Sequence, residues 1–290
     1  MRRAIMISML ALGACACVDT GQERVSVPLY LAGSDLGSPL PAAGDTTLTI
    51  DSAELAFGPL YFCAGNTAGE LCDTARLEWL DARVIDLTRE TPERVGEISG
   101  VSGPVRSFMY DLGISSQLTR DQPYTLAAAR ELDGASFRVS GSASIAGVEL
   151  PFRAQLAVQQ TEGTEPGVPV IRKSASERFS HDVGPDEPGV LVRFDASSWL
   201  RSVDLRGYFE DGECSADGPE YVCAGQLEQR CTSDGTVSET RDCSTLGQAC
   251  LAAKGCSSEL SFEVDSEPYR ALRNGLLAGG RPTFEWGFVP

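Results

Sequence analysis

From Val25 onward apolar side chains recur at every second position, not every third or fourth, and that period belongs to strands with one buried face. Val25, Val27, Leu29 and Leu31 form the first such run, and Gly33 to Gly44, with Pro39 and Pro41, reads as a loop. Leu48 and Ile50 resume the alternation, then Ala53, Leu55 and Phe57 carry it on the opposite parity, so a bulge is expected near Asp51 and Ser52. Leu60 to Cys63 continues as a strand, and Leu77 to Leu87 reads as a strand pair or one long strand with Trp79 in the core. The polar stretch Thr88 to Gly103, with Pro92 and three glycines, reads as a surface loop, followed by a strand through Phe108, Tyr110 and Leu112 and a polar connection from Ser116 to Tyr124.

The clearest hairpin runs from Phe137, Val139, Ala143 and Ile145 through Ala146-Gly147 into Val148, Leu150, Phe152, Ala154, Leu156 and Val158. Gly147 supplies the positive φ of a tight reversal, and Pro151 marks a sheet edge or bulge. Residues 161 to 170 are a Gly/Pro loop. Val190, Val192 and Phe194 make another strand, Asp195 caps one helical turn that carries Trp199 inward, and Val203 and Leu205 add a strand. Near the C-terminus Leu260, Phe262 and Val264 alternate, Ser266 caps a helix with Tyr269, Leu272 and Leu276 on one face, Gly279-Gly280 ends it, and Phe284, Trp286 and Phe288 form a last strand. The expected fold class is mainly β: an antiparallel β-sandwich or distorted barrel of about eight to eleven strands with an inserted disulfide-rich module.

That insertion is read from cysteines. Residues 214–256 carry six at C-x8-C-x7-C-x11-C-x6-C-x5-C, with few large apolar residues between them. Cross-links replace a core at this size, so Cys214, Cys223, Cys231, Cys243, Cys250 and Cys256 are expected as three disulfides, in one of fifteen connectivities. Zinc is disfavoured because no pair is spaced Cys-x2-Cys and no histidine lies in the segment. Cys63 and Cys72 are expected as a further bridge whose ten-residue loop contributes about 2.7 kcal/mol.

The N-terminus sets the compartment that permits these bridges. Arg2 and Arg3 precede an apolar run from Ala4 to Ala14 that is too short for a bilayer-spanning helix and reads as a signal peptide, residues 1–14. Leu12-Gly13-Ala14 before Cys15 resembles the lipobox of bacterial lipoproteins, which implies lipidation of Cys15; Cys17 is a poorer alternative. Ala16 after the lipidated cysteine implies the outer membrane rather than the inner. Residues 15–24 then act as a lipidated tether, and 25–213 plus 257–290 form the β-domain around the 214–256 insertion. Membrane contact is therefore expected through the lipid.

Net charge is −17. Arg2 and Arg3 leave with the signal peptide, so 24 basic residues become 22 against 41 acidic, giving −19 for the mature chain and disfavouring nucleic acid as a partner. Catalytic constellations are scarce. His181 is the only histidine, Ser180-His181-Asp182 are consecutive and cannot assemble as a triad, Lys173 and Lys254 are the only lysines, and no nucleotide-binding glycine motif occurs. No catalytic residue and no cofactor are assigned. Asp182, Asp186 and Glu187, near Gly184 and Gly189, offer hard oxygen donors for calcium but do not match the twelve-residue calcium loop, and a solvated acidic loop is the favoured reading.

Arg193-Phe194-Asp195 leading to Trp199-Leu200, with a terminal strand after a short helix, resembles periplasmic copper-binding β-sandwich proteins associated with methanobactin systems. The resemblance implies a sandwich. It does not extend to copper, because the mature chain has one histidine and one methionine, Met109, and its remaining sulfur is expected in disulfides. Function is therefore read as a non-enzymatic envelope lipoprotein with a structural role or a protein or glycan partner, the cysteine-rich insertion being the recognition surface. A carboxylate-based glycan hydrolase and a periplasmic calcium- or copper-binding protein are the alternatives.

Overall fold

The computed structural model describes residues 22–65, 75–115, 124–145, 147–158, 179–252, 254–278 and 281–290. The signal peptide, Cys15, Cys17, most of the tether, Cys72, the 161–170 loop and Gly279-Gly280 lie outside them. The chain is mostly β, 48% strand against 12% helix, and its curled sheets form a half-barrel.

The first sheet has seven strands in the order β22 (Thr283–Trp286), β15 (Val190–Arg193), β1 (Arg24–Ala32), β7 (Glu93–Val101), β5 (Ala75–Trp79), β4 (Leu60–Cys63) and β9 (Ser107–Tyr110). The second has six: β2 (Leu40–Pro41), β3 (Thr47–Phe57), β12 (Phe137–Ile145), β13 (Val148–Leu156) and β21 (Leu260–Ser261), with β6 (Arg83–Asp86) also paired to β3. Strand pairs β8 (Gly103–Val105)–β14 (His181–Val183) and β10 (Ile114–Ser115)–β11 (Tyr124–Thr125) stand apart. Three helices complete the scaffold: α1 (Ala127–Glu131), α2 (Ser197–Leu200) and α3 (Glu267–Ala278).

The first sheet curls until its two end strands face each other. Phe108 of β9 and Phe284 of β22 have ring centroids 4.4 Å apart, Phe62 of β4 meets Trp286 of β22 at 4.8 Å, and Phe179 packs against Phe62, Phe108 and Phe284. Phe62 and Phe179 stack, 9° from parallel, and the others are tilted or edge-to-face; such pairs each contribute about 0.5–1.5 kcal/mol beyond the area they bury. Phe57, at the end of β3, touches Trp79, Tyr110 and Phe194 and so couples the second sheet to the first.

Local patterning accounts for much of this. The β12/β13 hairpin pairs Phe137 with Leu156 and Ile145 with Val148, and Gly147 sits at φ +80°. The parity change in β3 is a bulge, since Ser140 pairs Ser52 and Gly141 pairs Ile50, leaving Asp51 unpaired and exposed. Pro151 lies where only one neighbour strand is bonded, because β21 reaches β13 only at Phe152 and Arg153. Asp195 Oδ1 accepts from the Ser197 N–H at 3.0 Å and starts α2, which buries Trp199. Ser266 Oγ accepts from the Tyr269 N–H at 3.4 Å at the start of α3.

Four expectations are corrected. Thr88 to Gly103 is not a loop throughout: β7 is nine residues long and lies between β1 and β5. Only Ile98 of its side chains is fully buried, and a Cβ on Gly100 would stand 1.7 Å from the Arg76 carbonyl oxygen, so the strand pairs closely by lacking the side chains that announce a strand. Leu77 to Leu87 is neither one strand nor a pair, because β5 joins the first sheet and β6 the second. Val203 and Leu205 are buried without forming a strand; Asp204 makes one isolated bridge to Ala43. The first strand after the insertion stops at Ser261, three residues before Val264, which is exposed.

Replacing Gly100 with Ala is expected to destabilise the protein by more than about 2 kcal/mol, since a backbone carbonyl rather than a flexible side chain opposes the new methyl. Urea unfolding of Gly100→Ala beside wild type measures it, with Gly134→Ala, whose surroundings are open, as a comparison for strain at φ +84° alone.

Candidate functional site

The single histidine lies at a corner between β14 and β22. His181 pairs with Val105 across β8, and its ring stacks on Trp286 with centroids 4.3 Å apart and planes 7° from parallel. Its Nε2 is 2.8 Å from Glu187 Oε2, and Glu187 Oε1 accepts from the Gly287 N–H at 2.7 Å. Glu187 thereby ties the segment after β14 to the end of β22. The Trp286 indole N–H is buried and has no hydrogen-bond partner among the described residues.

Both oxygens of Glu187 are engaged, Asp182 and Asp186 are exposed, and no group of three metal-ligating side chains occurs among the described residues. Ser180, His181 and Asp182 do not assemble as a triad, as alternation along β14 sends consecutive side chains to opposite faces.

The cysteine-rich module forms three disulfides: Cys214–Cys231, Cys223–Cys250 and Cys243–Cys256. Of the fifteen connectivities this is the first cysteine to the third, the second to the fifth and the fourth to the sixth. Cys63 is disulfide-bonded as well; its expected partner Cys72 lies outside the described residues. Strands β16 (Tyr221–Ala224), β17 (Leu227–Cys231) and β18 (Val237–Asp242) make a three-stranded sheet, and β19 (Ala249–Leu251) pairs with β20 (Gly255–Ser257).

Cys223, Cys243, Cys250 and Cys256 form the module's own small core. Ala249 and Leu251 belong to the scaffold's main core, and the Ala252 N–H donates to the Tyr208 carbonyl at 2.8 Å, so the module is docked rather than dangling. Its outer strand β18 is an edge strand exposed along its whole length. Leu227, Val237 and Leu246 are 40%, 46% and 54% exposed, three of the six large apolar side chains that face solvent among the described residues.

A cleft of about 610 Å³ lies on the solvent face of β3, β12 and β13, reaching the segment after β21 and the start of α3. Ser52, Arg138, Ser140, Arg153, Gln155 and Tyr269 are among its polar groups, with Asp133 and Glu263 at its margin. Arg138 donates through Nε and Nη2 to Glu54 Oε2 at 2.9 and 2.8 Å, Arg153 Nη2 donates to Glu259 at 2.6 Å, and Gln155 Nε2 donates to the Leu132 carbonyl at 2.9 Å. Tyr269 has its ring packed in the core, and burial pushes its phenol above the usual tyrosine range. Alternation in the sequence assigns Ser52, Arg138, Ser140, Arg153 and Gln155 to solvent; nothing local in it tells a flat polar face from a concave one.

No family model matches the chain, and no curated protein matches it by sequence. Among solved structures it is similar to MbnP from Methylosinus trichosporium, at 15% identity over 63% of this chain and 79% of that one, with a TM-score of 0.29. A likeness of that size leaves function to the residues themselves.

Glu187→Ala is expected to lower stability by about 1–3 kcal/mol, because a main-chain donor and the His181 ring lose their shared acceptor; Glu187→Gln, which keeps a carbonyl for Gly287, is expected to lose less. Chemical denaturation of both variants measures the difference. Equal losses would show that the Gly287 contact contributes little.

Proposed function

We propose that this protein is a non-enzymatic, lipid-anchored binding protein of the bacterial outer membrane, anchored through Cys15, and that its cysteine-rich module presents the surface read by an envelope protein partner. The observation that carries the reading is the module's outer strand. β18 leaves one row of backbone donors and acceptors unpaired, and an extended segment of a partner can add to such an edge. Leu227, Val237 and Leu246 offer apolar contact beside it. Three disulfides hold the edge in place with little apolar core of its own, so ordering costs on association are small. Support for a non-catalytic role comes from the cleft's flank, where Glu54 and Glu259 are held by Arg138 and Arg153 rather than facing each other across open space.

Labelled palmitate is expected to enter the wild-type chain and to be lost in Cys15→Ala; label that persists there and vanishes with Cys17→Ala moves the anchor by two residues. For the recognition surface, crosslinking in outer-membrane extracts is expected to recover a discrete partner with wild type and to lose it in Leu227→Ser/Val237→Ser/Leu246→Ser at unchanged melting temperature. An unchanged partner set in that triple variant would falsify the role of the module.

A further inference from the structure

We infer that the cleft on the outer face of the second sheet binds a neutral oligosaccharide, a site separate from the module edge and independent of what docks there. Its volume of about 610 Å³ falls within the range of small-molecule sites, about 300–1,000 Å³. Ser52, Ser140, Gln155 and Tyr269 line it, and Ser52 Oγ, Ser140 Oγ, Gln155 Oε1 and Tyr269 Oη make no hydrogen bond to the described residues.

Two of these groups are fixed in direction by bonds made behind them. Gln155 donates its amide N–H to the Leu132 carbonyl, which leaves its carbonyl oxygen as an acceptor. The Tyr269 ring is held in the core, 7% exposed, at the start of α3 where the cleft ends. Arg138 is clamped through two of its nitrogens by Glu54, leaving Nη1 at 3.9 Å from Asp133, beyond hydrogen-bond length, and Arg153 is held through Nη2 alone. The wall is thus a preorganised mixture of hydroxyls, one amide carbonyl and guanidinium N–H groups, which matches a ligand that carries both donors and acceptors at short intervals. Sugars do.

Charge narrows the class further. Arg138 and Arg153 each have a carboxylate partner, and Asp133 and Glu263 also line the cleft, so the local balance is acidic and an anionic sugar is repelled along with other anions. Val264, 72% exposed at the cleft's end, gives the C–H face of a pyranose an apolar surface.

The test titrates the mature, detergent-solubilised chain by calorimetry with cellotetraose, maltotetraose and chitotetraose, and with tetragalacturonate as the anionic counterpart. At least one neutral tetrasaccharide is expected to bind and tetragalacturonate not to. Tyr269→Phe removes a hydroxyl that no protein group uses, so the fold is kept and affinity is expected to fall about three- to tenfold, the worth of one hydrogen bond. Ser140→Trp fills the cleft on a solvent-facing strand position and is expected to abolish binding. The module triple variant is expected to bind sugar as wild type does. Binding of no neutral sugar by wild type, preference for tetragalacturonate, or full affinity in Ser140→Trp overturns the inference, and loss of sugar binding in the module variant alone moves the site to the module and overturns it too.

Discussion

The fold depends on the two ends of one sheet meeting. Seven strands running from β22 to β9 would leave two open edges, and closure comes from aromatic rings rather than from hydrogen bonds: Phe108 and Phe62 on one side, Phe284 and Trp286 on the other, with Phe179 between. Ring contacts tolerate the separation and twist that a ladder of backbone bonds would not, so the sheet can curl without completing a barrel. Everything else is placed by that curl. Phe57 reaches from β3 into the space it encloses, which sets how the second sheet lies, and the second sheet's outer face becomes the floor of the cleft.

His181 and Glu187 secure the same seam from its rim. The imidazole stacks on Trp286 while Glu187 holds both the imidazole and the Gly287 amide, so the one histidine of the chain serves packing and a hydrogen-bond bridge at the point where β22 ends. The His181 and Glu187 side chains are partly withdrawn from water, which strengthens their contact, and both oxygens of Glu187 are engaged. The cysteine module solves a different problem. Too few apolar side chains exist between Cys214 and Cys256 for a core, and sulfur takes their place, with Leu251 and Ala249 linking the result to the main core.

Elements with a local signal are legible in the sequence. Asp51 as a bulge, Gly147 as a turn, Asp195 and Ser266 as caps and Trp199 as a core residue follow from neighbours a few positions away. Such a signal is missing at β7, where Gly100 gives close strand approach at the expense of the apolar pattern, and misleading at Val203 and Leu205, whose alternation buries both side chains in an irregular segment. Leu77 to Leu87 misleads for a third reason: the run is β in pattern, but the chain changes sheet within it at the residues between Trp79 and Arg83, and no periodicity records which sheet a strand joins.

The amino-acid sequence alone determined that the protein is built of half-buried strands and that a segment poor in apolar residues must be cross-linked, because side-chain period and core volume are properties of short stretches. Tertiary structure alone decided that Cys223 meets Cys250 and Cys243 meets Cys256, that the edges of the first sheet close through five aromatic rings, and that Ser52, Ser140, Gln155 and Tyr269 share one concave wall. Those are juxtapositions of residues tens to hundreds of positions apart. They are set by sheet order, register and twist, none of which any one segment encodes.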